Sequence, residues 1–204
     1  MTALVSIVTP TMPGREDLLL DRCIPSVRAQ KWLSIEHVIV SDRNPSLAEK
    51  MADHPGVRFV QINETWRDGH ADHCPGALPW RVGSLLALGE YVGFVGDDDE
   101  LLPDHVTRHV AAMTEHDLHF TISAVQFRVH GQDRFLVGDD TLAVGHVDSD
   151  GIMCRAEALR TATWQLGVDA PDALLPHDWA AAGLRWMFIG GEPTVIHHDG
   201  WAAR

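Results

Sequence analysis

Residues 85–103 read LLALGEYVGFVGDDDELLP, an apolar run followed by three adjacent aspartates and a proline. Tyr91–Val95 (YVGFV) is β-rich and free of charge, which predicts a buried strand. Pro103–His116 carries apolar residues at helical spacing, with proline in the first turn. The acids therefore fall at the carboxyl end of an inner strand, the place where open α/β sheets bind ligands. Upstream, the same alternation repeats. Leu4–Thr9 (LVSIVT), Ile35–Ser41 (IEHVIVS) and Val57–Ile62 predict three further strands. Between them, Glu16–Gln30 predicts a helix that Pro25 kinks or splits, and Ser46 is placed to cap a short helix running to Asp53. Val82–Gly89 predicts another helix. Such alternation predicts an α/β fold, a mixed but mostly parallel central sheet flanked by helices.

Downstream, Phe120–Val129, Phe135–Val137, Thr141–Val147 and Thr194–His197 predict strands, and Ala156–Trp164 and Asp178–Met187 helices. Asn63–Pro79 lacks any period and reads as a long loop flanked by Trp66 and Trp80. Its His70, His73 and Cys74 resemble half of a zinc site, but no second pair at ligand spacing accompanies them. No repeat, low-complexity tract or linker divides the 204 residues, so one domain is expected.

Composition narrows the function. There are 29 acidic and 16 basic residues, a net charge of −13, which excludes a broad nucleic-acid surface. No stretch is apolar for long enough to span a bilayer, and the amino terminus has no basic lead-in, so a cytoplasmic location is expected. Three separated cysteines predict reduced thiols.

The predicted strand ends carry a coherent polar set: Pro10-Thr11, Asp42-Arg43 and Asp97-Asp98-Asp99. Adjacent aspartates repel and need neutralising. A hard divalent cation does this and can also bridge a diphosphate; a solvated loop capping the next helix is the competing explanation. Arg15, Arg43 and Arg81 are candidates for phosphate, and Asp42 for a ribose or base edge. Gly83 allows either close approach of a ligand or helix packing. Asp178 is a candidate general base and its neighbour Trp179 a face for a sugar, or the pair is a helix cap and a core residue. His197 and His198 follow a strand, where alternation lets only one of them face a cation.

The order of elements resembles the family-2 nucleotide-sugar glycosyltransferases of the GT-A (Rossmann-like) fold. The matching residues are the opening Val5-Ser6-Ile7-Val8-Thr9-Pro10-Thr11, Asp42 at the end of VIVSD, Arg81-Val82-Gly83, the GEYVGFVGDDDELLP stretch, Asp178 in PHDWAAAGLRW, and a late histidine. The resemblance implies a metal-dependent, inverting, hexosyltransferase-like enzyme that moves a sugar from a nucleotide diphosphate, a UDP-sugar being favoured, to an acceptor hydroxyl. It implies a donor-binding half over 1–116 and an acceptor-side half over 117–204. It further implies Pro10, Thr11, Arg15, Asp42, Arg43, Arg81, Gly83, Asp97 and Asp98 against the donor. The same likeness puts Mn2+ or Mg2+ on Asp98 and Asp99 (the D-x-D motif) with His197 or His198, Asp178 as catalytic base, and Trp179 on the acceptor side. Gly96 stands where the family carries its first acid. The chain is short for the family, so its acceptor part is minimal or is completed by another subunit of a homo-oligomer. Two other functions remain open: a non-catalytic sugar-nucleotide-binding module, and a sugar-phosphate nucleotidyltransferase, for which the glycine- and basic-rich loop after strand one is a poor match.

Overall fold

A computed structural model of the chain describes residues 2–52, 54–62 and 76–198. The first half runs β1 (Val5–Thr11), α1 (Glu16–Leu18), a π-helical turn (Leu19–Cys23), α2 (Ile24–Arg28), β2 (Ile35–Asp42), α3 (Pro45–Met51) and β3 (Val57–Ile62). It continues with α4 (Ala77–Leu86), β4 (Tyr91–Phe94), β5 (Glu100–Leu101) and α5 (His105–Glu115). The second half holds β6 (Phe120–Ile122), β7 (Val125–Val129), β8 (Gln132–Val137), a 3₁₀ turn (Ser149–Gly151), β9 (Ile152–Arg155), α6 (Ala158–Thr161), α7 (Pro171–Ala181), β10 (Trp186–Phe188) and β11 (Val195–His198).

Seven strands form the main sheet in the order β10-β6-β9-β4-β1-β2-β3. All pair in parallel except β9, which runs antiparallel to both β4 and β6. The apolar runs of β1, β2 and β4 are buried because helices cover both faces of a parallel sheet. One apolar cluster gathers Val5, Ile7, Ile24, Ile39 and Val110 on one face, and another gathers Val8, Val38, Phe94, Trp164 and Trp179 on the other. A smaller sheet, β5-β11-β7-β8, stands beside the carboxyl end of β4. No helix among the described residues is long and apolar enough to cross a membrane.

Several elements differ from the sequence reading. Phe120–Val129 is two strands, β6 and β7, in different sheets; Ser123 and Ala124 break them apart. Thr141–Val147 forms no strand, while Ile152–Arg155 forms one that lies in the centre of the main sheet. The helix expected over Asp178–Met187 lies earlier, at Pro171–Ala181, so Asp178 is inside it and does not cap it. Trp186 begins a strand. α4 begins at Ala77 inside the expected loop, and Asn44 occupies the cap position assigned to Ser46, which instead donates to the Asn44 side chain at 2.8 Å. The α6 helix is only a fragment of the expected Ala156–Trp164. Trp66, His70, His73 and Cys74 lie outside the described residues; Cys23 and Cys154 are buried free thiols.

Gly83 is where α4 meets the sheet. A Cβ there would sit 2.3 Å from Val8 Cγ1 and 3.2 Å from Val40 Cγ2. Gly83 is therefore a packing residue in the core, which corrects its assignment to the donor: helix and strand approach too closely to leave room for a ligand. Gly83→Ala is expected to lower stability by about 1–3 kcal/mol, the range for overpacking, read as a lower denaturation midpoint with unchanged slope.

Beneath the small sheet, His105 and His109 are fully buried on α5 with ring centroids 4.4 Å apart. His105 Nδ1 shares a hydrogen bond with Thr194 Oγ1 at 2.9 Å, and His109 Nδ1 with Thr121 Oγ1 at 2.8 Å. Burial, then the charge of Arg108, pushes His105 down to about 3, and burial, then His105, holds His109 well below its ordinary value. The unfolded chain binds these protons first, near pH 6.5. Stability from the neutral pair is therefore complete above that pH and is lost as pH falls towards 3. The denaturation midpoint should drop more between pH 7.5 and 5 in the wild type than in His109→Asn, a comparison that cancels acid effects common to both proteins.

Candidate active site

The carboxyl end of β4 turns at Gly96 into the three aspartates, and all three are buried, at 5%, 7% and 2% exposure. They are not a solvated loop. Each has its own partner. Asp97 accepts from Thr11 Oγ1 at 2.8 Å and from Arg15 Nε at 2.7 Å. Asp98 pairs with the second arm of Arg15, and its backbone carbonyl accepts from Arg22 Nη1 at 2.7 Å. Asp99 turns the other way, towards β11: it accepts from the His198 backbone N–H at 2.8 Å, and its second oxygen lies 3.2 Å from His197 Nδ1.

This arrangement follows from local structure. β5 continues directly from the acids and pairs antiparallel with β11, Ile196 opposite Glu100. That pairing carries His197 and His198 alongside Asp99. The two rings diverge, as neighbours on a strand must. His197 faces Asp99 and stacks on Phe127, centroids 4.3 Å apart. The His198 ring lies 3.5 Å from Glu100 and is held below its ordinary pKa by burial and then by Arg22.

A second acidic turn completes the centre. Asp150, 1% exposed, accepts the Gly96 N–H on both oxygens at 3.1 Å, and Asp148 accepts the Asp150 N–H at 3.0 Å. One ligand atom each from Asp99, Asp150 and His197 lies within 4.8 Å of the others. Burial, then the charge of Asp150, raises Asp99 well above the carboxylate range; burial, then Asp148, raises Asp150 to about 7. Burial likewise raises Asp97, to about 6, against the pull of Arg15. Among the described residues, both ring nitrogens of His197 are buried without a hydrogen bond. The 3.2 Å approach to Asp99 is close enough for one, so the ring is turned out of line for it. An imidazole with no hydrogen-bond partner among carboxylates that resist ionising together is a donor set suited to a divalent cation, and one nitrogen with two oxygens suits Mn2+ at least as well as Mg2+.

Gly96 takes on meaning here. A Cβ at this position would stand 2.5 Å from Asp99 Oδ2. The residue that departs from the family pattern thus clears space for one carboxylate and supplies the N–H that orients another.

The remaining expected site residues are distributed as follows. Thr11 pairs with Ser41 across β1 and β2, which puts Asp42 one position beyond the strand end that bonds Asp97. Pro10 lies in β1 opposite Val40. Arg43 follows Asp42 in a left-handed conformation, φ 46°, an unusual backbone state for arginine. Arg81 is half-buried on α4. Asp178 is on α7, where its carboxylate accepts from Gln165 Nε2 at 2.7 Å and lies 3.8 Å from His177. Trp179 is fully buried, its indole N–H donating to the Ala162 carbonyl at 2.9 Å. A core ring offers no face to a sugar, so the acceptor-side role expected of Trp179 is corrected. The metal set expected from sequence is also redrawn. Asp98 pairs with Arg15 and the His198 ring lies near Glu100, while Asp99, Asp150 and His197 are the group brought together as possible cation ligands.

Asp148, Asp150, Arg22 and Asp172 were not expected at the site. Asp172 opens α7, is raised to about 6 by burial, and feels Asp148. The signal for the acidic turn was present: Asp148-Ser149-Asp150-Gly151 is a polar turn directly ahead of the apolar Ile152-Met153-Cys154. Reading a strand before that turn, where the chain has none, hid it.

The family model for glycosyl transferase family 2 matches residues 6–141, and the chain belongs to that family. No curated relative matches the chain. Among solved structures, residues 1–349 of S. aureus TarS in complex with UDP superpose with a TM-score of 0.74 at 17% identity, covering 96% of this chain and 60% of that one. The UDP-GlcNAc complex of TarS 1–349 gives 0.73 at 18% identity, with 96% and 58% covered. The mannosyltransferase PcManGT from Pyrobaculum calidifontis, in complex with GDP-Man and Mn2+, gives 0.68 at 17% identity, with 100% and 60% covered. The fold is that of the GT-A glycosyltransferases, and the chain spans about 60% of the length of these structures.

If Asp99, Asp150 and His197 hold a cation, saturating Mn2+ should stabilise the protein, by about 2.7 kcal/mol at one hundred times its Kd. Thermal denaturation should show that rise in the wild type and lose it in Gly96→Ala and in His197→Ala.

Proposed function

We propose that this chain transfers a sugar from a nucleotide-diphosphate donor to an acceptor hydroxyl, with inversion at the anomeric carbon. The observation that carries this reading is the buried Asp99–Asp150–His197 centre at the carboxyl end of β4, with Arg15 beside it and Asp42 at the end of β2. Family membership and the complexes of the fold relatives with UDP, UDP-GlcNAc and GDP-Man support it. A cation held at the centre would offset charge on the departing diphosphate.

The chain's own residues have distinct tasks in this proposal. Asp42 reads the ribose or base, a UDP-sugar being the favoured donor, and Arg43 and Arg81 face phosphate. Arg15 is held protonated because the pull of Asp97 and Asp98 outweighs the opposing effect of its own burial. It fixes the first two aspartates so that only Asp99 turns to the centre. Asp178 takes the proton from the acceptor hydroxyl as the oxygen attacks the anomeric carbon, opposite the leaving group. Gln165 holds that carboxylate in place. The steric role of Gly96 speaks against treating its departure from the family pattern as decay towards a non-catalytic module. We place the reaction in the cytoplasm, a compartment that suits the reduced Cys23 and Cys154.

The test is nucleotide release from UDP-GlcNAc and GDP-mannose with Mn2+ or Mg2+, without and with acceptors. Asp178→Asn should lower turnover by about 10²-fold or more while nucleotide affinity stays within a factor of two or so. Unchanged turnover in that variant would remove Asp178 from the chemistry, and absence of nucleotide binding under every metal condition would remove the function.

A further inference from the structure

A cavity of about 590 Å³ lies beside β10, the last strand of the main sheet, lined by Trp186, Met187, Phe188, Asp139 and Asp140. Its size is that of a small-ligand site, about 300–1,000 Å³. Trp186 stacks on Phe120 through one ring face, with centroids 5.8 Å apart and planes 8° from parallel. The indole is half-buried and lines the cavity. Asp139 is fixed by the Thr141 N–H at 2.7 Å and by His146 Nδ1 at 2.8 Å. The His146 contact holds its carboxyl below the ordinary range, so it stays ionised as an acceptor. Asp140 is exposed at the rim.

The cavity's position connects it to the cation centre. A Cβ on Gly138, next to Asp139, would lie 2.5 Å from the Ser123 carbonyl oxygen, and one on Gly151, next to Asp150, 2.6 Å from that same oxygen. The segment leading into Asp139 and Asp140 and the turn bearing Asp148 and Asp150 are thus seated on one carbonyl at the end of β6. The Ile189 N–H bonds the Ile122 carbonyl, so β10 ends there too. In the sheet order, β6 and β10 stand on one side of β4, and β1 and β2, with Thr11 and Asp42, on the other.

We propose that this cavity is a subsite for a neutral saccharide unit of the acceptor, a pyranose laid on Trp186 with hydroxyls donating to Asp139 and Asp140. A flat apolar face beside ionised acceptors matches a sugar ring, which has C–H bonds on its faces and O–H donors on its edge. The two carboxylates repel uronates and sugar phosphates. The subsite's role as an acceptor site rests on the glycosyltransferase reading; its ligand chemistry does not.

Saturation-transfer NMR with methyl β-D-glucopyranoside, methyl α-D-mannopyranoside, the methyl glycoside of N-acetylglucosamine and methyl glucuronide tests this. At least one neutral glycoside should receive saturation at its ring C–H protons, and the glucuronide markedly less. Trp186→Ala should weaken binding about fivefold or more. Asp140→Asn, at an exposed position, should weaken it with no change in melting temperature, which keeps the test sound if the tryptophan variant misfolds. No transfer to any neutral glycoside, equal transfer to the glucuronide, or wild-type transfer in folded Trp186→Ala and Asp140→Asn would each overturn the subsite. Calorimetry of the wild type with UDP and GDP plus Mn2+ is run alongside. Nucleotide binding without glycoside binding defeats the subsite alone, and glycoside binding without nucleotide binding defeats the donor reading alone.

Discussion

Five aspartates from two turns, Asp97, Asp98, Asp99, Asp148 and Asp150, meet where β4 ends, and the protein around them is arranged to tolerate that charge. An ionised carboxylate taken out of water is penalised by several kcal/mol unless it is paired. Arg15 answers Asp97 and Asp98. Backbone N–H groups of His198, Gly96 and Asp150 answer Asp99, Asp150 and Asp148. What remains is an excess of negative charge around an imidazole without a hydrogen-bond partner, and this residual imbalance makes a cation the natural occupant.

The same constraint explains features of the fold that otherwise look arbitrary. The break at Ser123-Ala124 sends β7 into a second sheet, and that sheet brings β11 back to Asp99. Among the described strands, the short β5 pairs only with β11. β9 enters antiparallel between β4 and β6, and its 3₁₀ lead-in sets Asp150 under the Gly96 N–H. Because β9 runs antiparallel, its entry end, and not its exit, lies beside the carboxyl end of β4. The buried His105–His109 pair on α5, like His37 in β2, makes the core sensitive to acid.

The two sides of β4 differ in chemistry. Towards β1 and β2, arginines, a threonine and the Asp42 turn suit a charged nucleotide. Towards β6 and β10, the aromatic side chains and carboxylates suit a neutral, hydroxyl-rich partner. The Asp99, Asp150 and His197 group stands between them, at the end of β4.

Much of this was legible in the amino-acid sequence. The strands β1, β2 and β4 were readable because each is a short, β-rich apolar run bounded by turn residues. The aspartates at the tip of β4 were readable because strand direction fixes which end is functional. Other features depended on tertiary structure. Asp150 joins the site through a central antiparallel strand whose short, mixed sequence resembles many others. Gly83 was open between ligand approach and helix packing, and Gly96 stood in place of an expected acid; the role of each is set by a distance to a residue far off or facing it, Val8 and Asp99. Trp179 and Trp186 are the same residue type seven positions apart; only packing put the first in the core and left the second half-buried on the edge strand of the main sheet. Local pattern determines which elements form and in what direction they run, whereas the identity of a buried group's partners is settled by long-range pairing, which no local window of sequence contains.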